Sequence, residues 1–337
     1  MAIVTDLTPL PLPAEDAWLD WITASTADTL TATRTAVDAL KSDPPEDALA
    51  TLEAWNDISI DLGLVSARAS LFGEVHPDEE VRTASDKAMQ DVQQLDTELG
   101  LDRDLYEVFA RLDPAGLDAD ARRVLDKALL GFRRSGVDKD EATRDRIRAI
   151  QERLVVVGQD FGRNIREGVR TVTFTPEQLD GMPQDWIDAH PVGDDGLVRV
   201  TTDYPDSVPF RTFAKDAAAR RELAKASLTI AYPANLPLLQ ELFALRQELA
   251  ELLGYASWAD YDAEVKMIGD GPAIAEFIER ITAAAEEPGR RDVRVLLDRL
   301  RRDHPDATTI DGADVPYYAE LIRKEQLDVD AQEVRTF

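Results

Sequence analysis

Residues 252–267 read LLGYASWADYDAEVKM, and this stretch marks the junction between two helices. An apolar run ends at Gly254, and glycine readily takes the left-handed conformation that closes a helix. Ser257 then opens a second segment, and Asp260 follows three residues later, where an acidic side chain completes a capping-box-like helix start. The stretch therefore predicts a helix, a tight turn and a second helix.

Helical periodicity extends over most of the chain, because apolar residues recur three or four positions apart. Asp78 is a suitable N-cap for one of these segments, since acids occupy the turn that follows it. No stretch has the composition of a flexible linker, and we find no internal repeat. We predict a mainly α fold, in one continuous body, with helices at about 14–41, 46–72, 78–100, 103–112, 118–132, 141–167, 211–231, 235–253, 257–267, 272–301 and 313–326.

In one region the spacing of apolar residues changes from the helical period to the alternation typical of a β-strand. VRTVTFT at 169–175 and GLVRVTTDY at 196–204 alternate and are rich in β-branched residues, and the turn signal GDDG precedes the second of them. A short helix is predicted between the two. We therefore expect a small β excursion at about 169–204 within the helical chain.

Composition restricts the partners of the chain. The 66 acidic residues outnumber the 38 basic ones and give a net charge of −28. Such a charge repels phosphate backbones and anionic lipid, so we expect no nucleic-acid partner and no membrane partner. The chain has no cysteine, its first residues do not resemble a secretory signal, and no apolar run reaches the length of a membrane span. These features predict a cytoplasmic protein.

The three histidines each precede a proline, at His76, His190 and His304. A residue before proline avoids the α conformation, so none of the three is expected inside a helix with a second ligand one turn away. The zinc motif H-E-x-x-H is absent, as are the phosphate-binding, dinucleotide-binding and nucleophile-elbow motifs. We predict that the histidines lie in loops or at the starts of helices. We also predict no catalytic, cofactor-binding or metal-binding residue, although a site assembled from distant histidines and carboxylates stays open.

The stretch at 252–267 resembles a helix–turn–helix of the thimet oligopeptidase and oligopeptidase A family of zinc metallopeptidases. That family has a Leu-Gly-Tyr/Phe turn, then Ala-Asp/Glu-Tyr, then a methionine, and the matching residues here are Leu253, Gly254, Tyr255, Ala259, Asp260, Tyr261 and Met267. Four further stretches resemble the family in the same order: 76–88, 131–137, 150–168 with Phe161 and Asn164, and the Asp-x-x-Tyr-Tyr segment at 314–330.

The resemblance implies a two-lobed, clam-like helical fold with a deep channel that admits short peptides. In that family the two histidines of H-E-x-x-H and a glutamate hold zinc, and the glutamate of the motif activates a zinc-bound water. Those residues follow the Asp-x-x-Tyr-Tyr segment and have no counterpart among these 337 residues. We therefore expect residues 66–337 to form the non-catalytic lobe and the start of the catalytic lobe, and residues 1–65 to add amino-terminal helices.

The resemblance leaves three hypotheses. The chain is the amino-terminal portion of a zinc oligopeptidase, inactive alone and completed by a carboxy-terminal half, as the apolar Val334 and Phe337 at its end suggest. Alternatively, it is a non-enzymatic helical module that binds peptides or other partners. The least favoured hypothesis is an enzyme with an unrecognised site.

Overall fold

The structure, a computed structural model, describes residues 12–14 and 16–327, so the end of the chain at Val334 and Phe337 lies outside the described residues. The described part is mainly α-helical, which confirms the predicted fold class. Its helices are α1 Trp18–Ser42, α2 Ala48–Val75, α3 Glu79–Gly100, α4 Arg103–Ala110, α5 Ala119–Ser135, α6 Glu141–Arg166, α7 Gln184–Ala189, α8 Tyr204–Phe213, α9 Ala217–Leu228, α10 Asn235–Leu253, α11 Trp258–Ala263, α12 Gly271–Asp303 and α13 Val315–Leu327.

The predicted helix at 211–231 is wrong in its bounds, because two helices, α8 and α9, occupy this region. The α8 helix starts seven residues earlier than predicted and contains Pro205 in its first turn and Pro209 in its interior. Proline is tolerated in a first turn but disturbs a helix interior. Because of the two prolines, the sequence pattern of this segment did not indicate a helix. The side chain of Asp216 then caps α9 by accepting hydrogen bonds from two backbone N–H groups.

The predicted β excursion is confirmed. Strand β1 (Thr171–Phe174) pairs antiparallel with β2 (Val198–Thr201), and Phe174 lies opposite Val198. One face of this sheet is buried, and the ring of Phe174 stacks on Phe210 of α8 with centroids 4.6 Å apart. The sheet thus depends on packing against neighbouring helices such as α8, since an isolated two-stranded sheet is only marginally stable.

The contacts of the chain divide it into two compact units. The first comprises residues up to Gln159 together with Glu241–Trp258, and α2 packs in it against α1 and α3. Its core contains fully buried residues of α4 and α5 beside those of α3, including Leu95, Leu105, Phe109 and Phe132. The division predicted at residue 65 marks where the family resemblance begins, and it stays a prediction.

The second unit comprises Asp160–Gln240 and the residues from Ala259 onward. It contains the sheet, helices α7 to α9, and the paired helices α12 and α13. Helix α13 packs against α8 and against the last turns of α12. This packing brings residues from distant parts of the sequence together in one core.

The turn within residues 252–267 has the predicted form. Gly254 has a φ of 93°, its N–H donates to the carbonyl of Glu251, and the N–H of Tyr255 donates to the carbonyl of Ala250. These bonds satisfy carbonyls that the helix end would leave unpaired. The guanidinium of Arg246 lies 5.0 Å from the ring centroid of Trp258, which begins the next helix.

Replacing Gly254 by alanine is expected to lower the free energy of unfolding by about 1 kcal/mol, because an L side chain is strained at positive φ. A matched control is Gly131→Ala, at an exposed interior position of α5 where an added Cβ meets no atom within 4 Å. That change is expected to raise stability by up to about 1 kcal/mol through helix propensity. Urea unfolding followed by circular dichroism measures both, and an unchanged midpoint for Gly254→Ala would contradict the account of the turn.

Candidate functional site

Each of the three histidines ends a helix. His76, His190 and His304 are the C-caps of α2, α7 and α12. The prediction that they lie outside helix interiors, in loops or at helix starts, is confirmed, because all three have non-helical backbone in the loop that follows a helix. The following proline forces the non-helical backbone of the histidine, and this ends the helix before it.

The side chains of these histidines are engaged in contacts within the protein and do not converge on a metal-binding site. The Nδ1 atom of His76 accepts the N–H of Asp78, and its ring packs 4.9 Å from that of Trp18. Across residues 12–14 and 16–327, no group of three or more His, Asp or Glu residues is arranged to hold a metal ion. The donor set of this part of the chain therefore does not fit the zinc centre that the family resemblance implies.

His190 belongs to a polar cluster at the end of the sheet. Its Nδ1 lies 2.7 Å from the carbonyl oxygen of Trp186, and its Nε2 lies 3.1 Å from a carboxylate oxygen of Asp206. The ring stacks on Trp186 with centroids 3.7 Å apart. Because both ring nitrogens are engaged within the protein, the cluster joins α7 to α8 and leaves no nitrogen for a substrate.

The carboxylate of Asp206 has a second set of partners, the backbone N–H and the hydroxyl of Thr201 at the end of β2. Burial works to raise the pKa of the Asp206 carboxyl, but the hydrogen bonds from Thr201 and His190 outweigh it and hold the pKa below its ordinary value. Asp206 is thus stabilised in its ionised form, and it ties strand to helix.

A buried ion pair lies deeper in the second unit. The side chains of Arg220 and Asp314 are 1% and 3% exposed, and the Nη2 of Arg220 lies 2.6 Å from Oδ1 of Asp314. Arg220 also donates to the carbonyls of Ala214 and Lys215, while Arg221 donates to the other carboxylate oxygen. The carboxylate therefore receives two guanidinium groups, and the buried charge of Arg220 is fully paired.

The two tyrosines of the Asp-x-x-Tyr-Tyr segment lie near this pair, and Tyr317 contacts it directly. The guanidinium carbon of Arg220 lies 4.2 Å from the ring centroid of Tyr317, a cation–π distance. Tyr318 is only 3% exposed, and burial, followed by the charge of Asp303, raises the pKa of its phenol. Asp314 and Tyr317 thus link the start of α13 to Arg220 of α9, while the ring of Tyr318 lies 5.8 Å from the guanidinium of Arg299 in α12.

The Phe-x-x-Asn element of α6 is also structural. The amide of Asn164 donates to the side-chain oxygen of Asn235 at 2.8 Å, and the amide of Asn235 donates to the carbonyl of Phe161 at 3.0 Å. These bonds fix the start of α10 against the last turns of α6. The asparagine of this element therefore positions a helix end.

A cleft of about 810 Å³ lies in the first unit, beside the loop that follows α1 and the loop that follows α4. Two of its cations are already paired, since Lys41 donates to Asp102 at 2.9 Å and Arg111 donates to Glu107. Its further charged residues are carboxylates, Glu46, Asp47, Asp104 and Asp113. The lining of this cleft is therefore acidic. None of its lining residues is a histidine that could act as a general acid or base.

Comparison with known proteins finds a match over the part of the chain that contains the ion pair of Arg220 and Asp314. Residues 211–337, which include the buried ion pair, match the sequence model of peptidase family M3. The chain is 28% identical over 279 residues to saccharolysin of Saccharomyces cerevisiae, an alignment that covers 79% of this chain and 39% of that protein. Over most of its described length, the chain is thus similar to oligopeptidases of peptidase family M3.

Two further relatives have similar coverage. A thimet-like oligopeptidase of Dictyostelium discoideum is 23% identical over 68% of this chain and 36% of its own length. Oligopeptidase A of Salmonella typhimurium is 24% identical over 82% of this chain and 43% of its own length. The chain thus spans about two fifths of the length of the relatives that it matches.

The family motifs could be found from sequence, but the residues that contact them could not. Arg220 sits in a run of alanines and arginines that reads as an ordinary surface helix, and its partner Asp314 is 94 positions away. Asp206 stands in a segment interrupted by prolines, so its link to Thr201 and His190 gave no periodic signal.

Among the described residues, no helix is both long and apolar enough to cross a membrane.

Replacing Asp314 by alanine is expected to lower the free energy of unfolding by about 3–5 kcal/mol, because Arg220 would keep a buried charge without its counter-charge. The control is Asp180→Ala, which removes an exposed ion pair of 3.1 Å to Lys215 and is expected to cost about 1 kcal/mol or less. Thermal and urea unfolding measure both variants. Equal losses in the two variants would contradict the assignment.

Replacing Asp206 by asparagine is expected to lower stability by about 1–3 kcal/mol at neutral pH, through weakened charge-assisted hydrogen bonds. Since the folded-state pKa of Asp206 is lowered, its contribution is present above the unfolded value of about 3.9 and is lost as pH falls through the folded value. The difference between wild type and variant should therefore shrink below about pH 4. In a Thr201→Val background the same substitution should cost less, and urea unfolding at a series of pH values tests both statements.

Proposed function

We propose that this chain is the amino-terminal portion of a zinc-dependent oligopeptidase of the cytoplasm, whose complete form hydrolyses short peptides. We further propose that the chain alone is inactive. The observation that carries this proposal is the similarity of the chain to peptidase family M3, combined with a sequence that contains no H-E-x-x-H. The family relationship supports the substrate class, and the missing motif supports the inactivity.

The placement of the family motifs supports the same proposal. Asp314, Tyr317 and Asn164 all make contacts with other parts of the second unit, namely with Arg220 and Asn235. A scaffold role is what a non-catalytic portion of a peptidase requires. The chemistry must then come from a carboxy-terminal half, on this chain's own continuation or on a second chain.

Such a half would carry the two histidines and the glutamates that the family uses for zinc. Bound zinc would supply an activated water for attack on a peptide carbonyl. The described residues of this chain would supply helices that support that centre and part of the surface that a peptide passes.

The purified chain, incubated with equimolar zinc and an internally quenched peptide of about ten residues, is expected to show no hydrolysis above buffer. It is also expected to retain no stoichiometric zinc after gel filtration, because its donors are dispersed. Fluorescence and metal analysis measure the two outcomes. Zinc-dependent cleavage that a chelator abolishes would contradict the proposal and favour an unrecognised site in this chain.

Addition of a zinc-bearing half is expected to restore chelator-sensitive hydrolysis. One such half is encoded by any reading frame directly downstream that contains H-E-x-x-H, and another is the part of saccharolysin beyond the stretch that this chain matches. If the chain instead binds short peptides by itself and no half restores cleavage, the non-enzymatic peptide-binding module becomes the better description.

A further inference from the structure

Helix α2 carries two apolar faces on opposite sides. The face that packs in the core of the first unit includes Ile58, Leu62, Val65 and Ala69. A second set with the same spacing lies two positions further along at each step, at Ile60, Leu64, Ala67 and Leu71. At 100° per residue, two positions are a rotation of about 200°, so the second set faces away from the core.

The second set is exposed although it is apolar. Ile60, Leu64 and Leu71 are 51%, 47% and 54% exposed, and Ala67 is exposed with them. We call these four residues the α2 outer stripe. A helix that is apolar on all sides is ordinarily buried on all sides, so the stripe indicates a surface that a partner covers.

Small side chains form one border of the stripe. They belong to Ser59, Gly63, Ser66 and Ser70. Gly63 is exposed, and a Cβ added there would meet no packing neighbour within 4 Å. Glycine is among the least favourable residues inside a helix, and packing within the described residues does not require it here. Its effect is to let a second helix approach this border closely.

The other border of the stripe carries one acid and one base. Asp61 and Arg68 are seven positions apart, which is about 10 Å along the helix. The guanidinium of Arg68 lies 5.5 Å from the ring centroid of Trp21, and neither Asp61 nor Arg68 forms an ion pair within the part of the chain that the structure describes. They are the charged residues of the segment 60–71. The border thus offers one charge of each sign.

We propose that the α2 outer stripe binds a second copy of this chain as an antiparallel helix pair. A two-fold axis between Leu64 and Ala67 sets Leu64 against Ala67 of the second copy, and Ile60 against Leu71. Each large side chain at the centre thus meets a small one. The axis also keeps each border on its own side, so the small borders of the two copies lie together.

The charges select this arrangement. In the antiparallel pair, Asp61 of one copy lies beside Arg68 of the other, and the symmetry forms this contact twice. A parallel pair would instead set the charged border of one copy against the small border of the other and leave both charges unpaired. The same surface is therefore complementary to itself in size and in charge, which is the property of a two-fold interface.

The contact is short. The stripe is about 17 Å long, and beyond it Asp57 of one copy faces Glu74 of the other, so like charges limit the pairing to four layers. An interface of this size gives a weak dimer, with a Kd on the order of 100 µM. At about 0.15 M salt the Debye length is about 8 Å, which screens most of the repulsion between two chains of net charge −28.

Sedimentation equilibrium of the intact chain over a range of concentrations measures the dimer. Leu64→Glu places a charge in the central layers twice and should weaken dimerisation at least about tenfold. The matched control is Val124→Glu, which adds the same charge at a 43% exposed apolar position of α5. It should leave the Kd within about twofold.

Exchange of the two charges tests the antiparallel register. Asp61→Arg brings like charges together at both symmetric contacts and should weaken the dimer about threefold to tenfold, although it lowers the net negative charge of the chain. Asp61→Arg combined with Arg68→Asp should bring the Kd back to within about twofold of wild type. Circular dichroism and the urea midpoint check each variant first, since Arg68 also contacts Trp21.

Introduced cysteines report the same register, because the chain has none of its own. A mixture of Ile60→Cys and Leu71→Cys chains should form a covalent dimer in oxidised glutathione. Either chain alone should form much less, since its two cysteines would lie about 16 Å apart along the helix axes, beyond the reach of a disulfide.

Three results would overturn the inference. The first is a monomer at every concentration, and the second is an equal effect of Leu64→Glu and Val124→Glu. The third is a dimer that the charge exchange does not restore or that links equal positions in preference to Ile60 and Leu71. Peptide hydrolysis enters none of these measurements, so their outcome is independent of the proposed function.

Discussion

The burial of one arginine, Arg220, constrains how the helices of the second unit pack. A guanidinium that is 1% exposed has lost its water, and only a well-placed carboxylate and carbonyls offset that loss. The chain meets this demand by bringing Asp314 to Arg220 across 94 positions and by setting Tyr317 on the guanidinium face. An alternative packing of α13 would leave a buried charge unpaired, so the pair selects one arrangement of helices.

The family motifs acquire a physical meaning from such contacts. Gly254 supplies a positive φ, Asn164 fixes a helix start through Asn235, and Asp314 neutralises a buried cation. All three are tasks that few residue types can perform at those positions. A likeness carried by such residues concerns the packing of helices, and it requires no residue that binds a metal.

The sequence was sufficient for the mainly α fold, the strand pair and most helix bounds, because amphipathic period, caps and β-branched runs are local signals. It failed for α8, where Pro205 and Pro209 masked a helix that tertiary packing stabilises. It also did not reveal the contacts of Arg220 and Asp206. Asp314 lies 94 positions from Arg220, and Asp206 stands in a segment interrupted by prolines, so neither contact leaves a periodic pattern in the sequence. The division into two units likewise depends on contacts that no local signal contains.

Every residue of α12 from 275 to 295 is exposed, and this bears on how long the chain survives. A helix segment that is exposed on all sides opens locally at low cost, and opened backbone is what proteases cleave. Arg290, Arg291 and Arg294 place cleavable bonds within that segment. Limited proteolysis of the folded chain would therefore begin within this segment of α12.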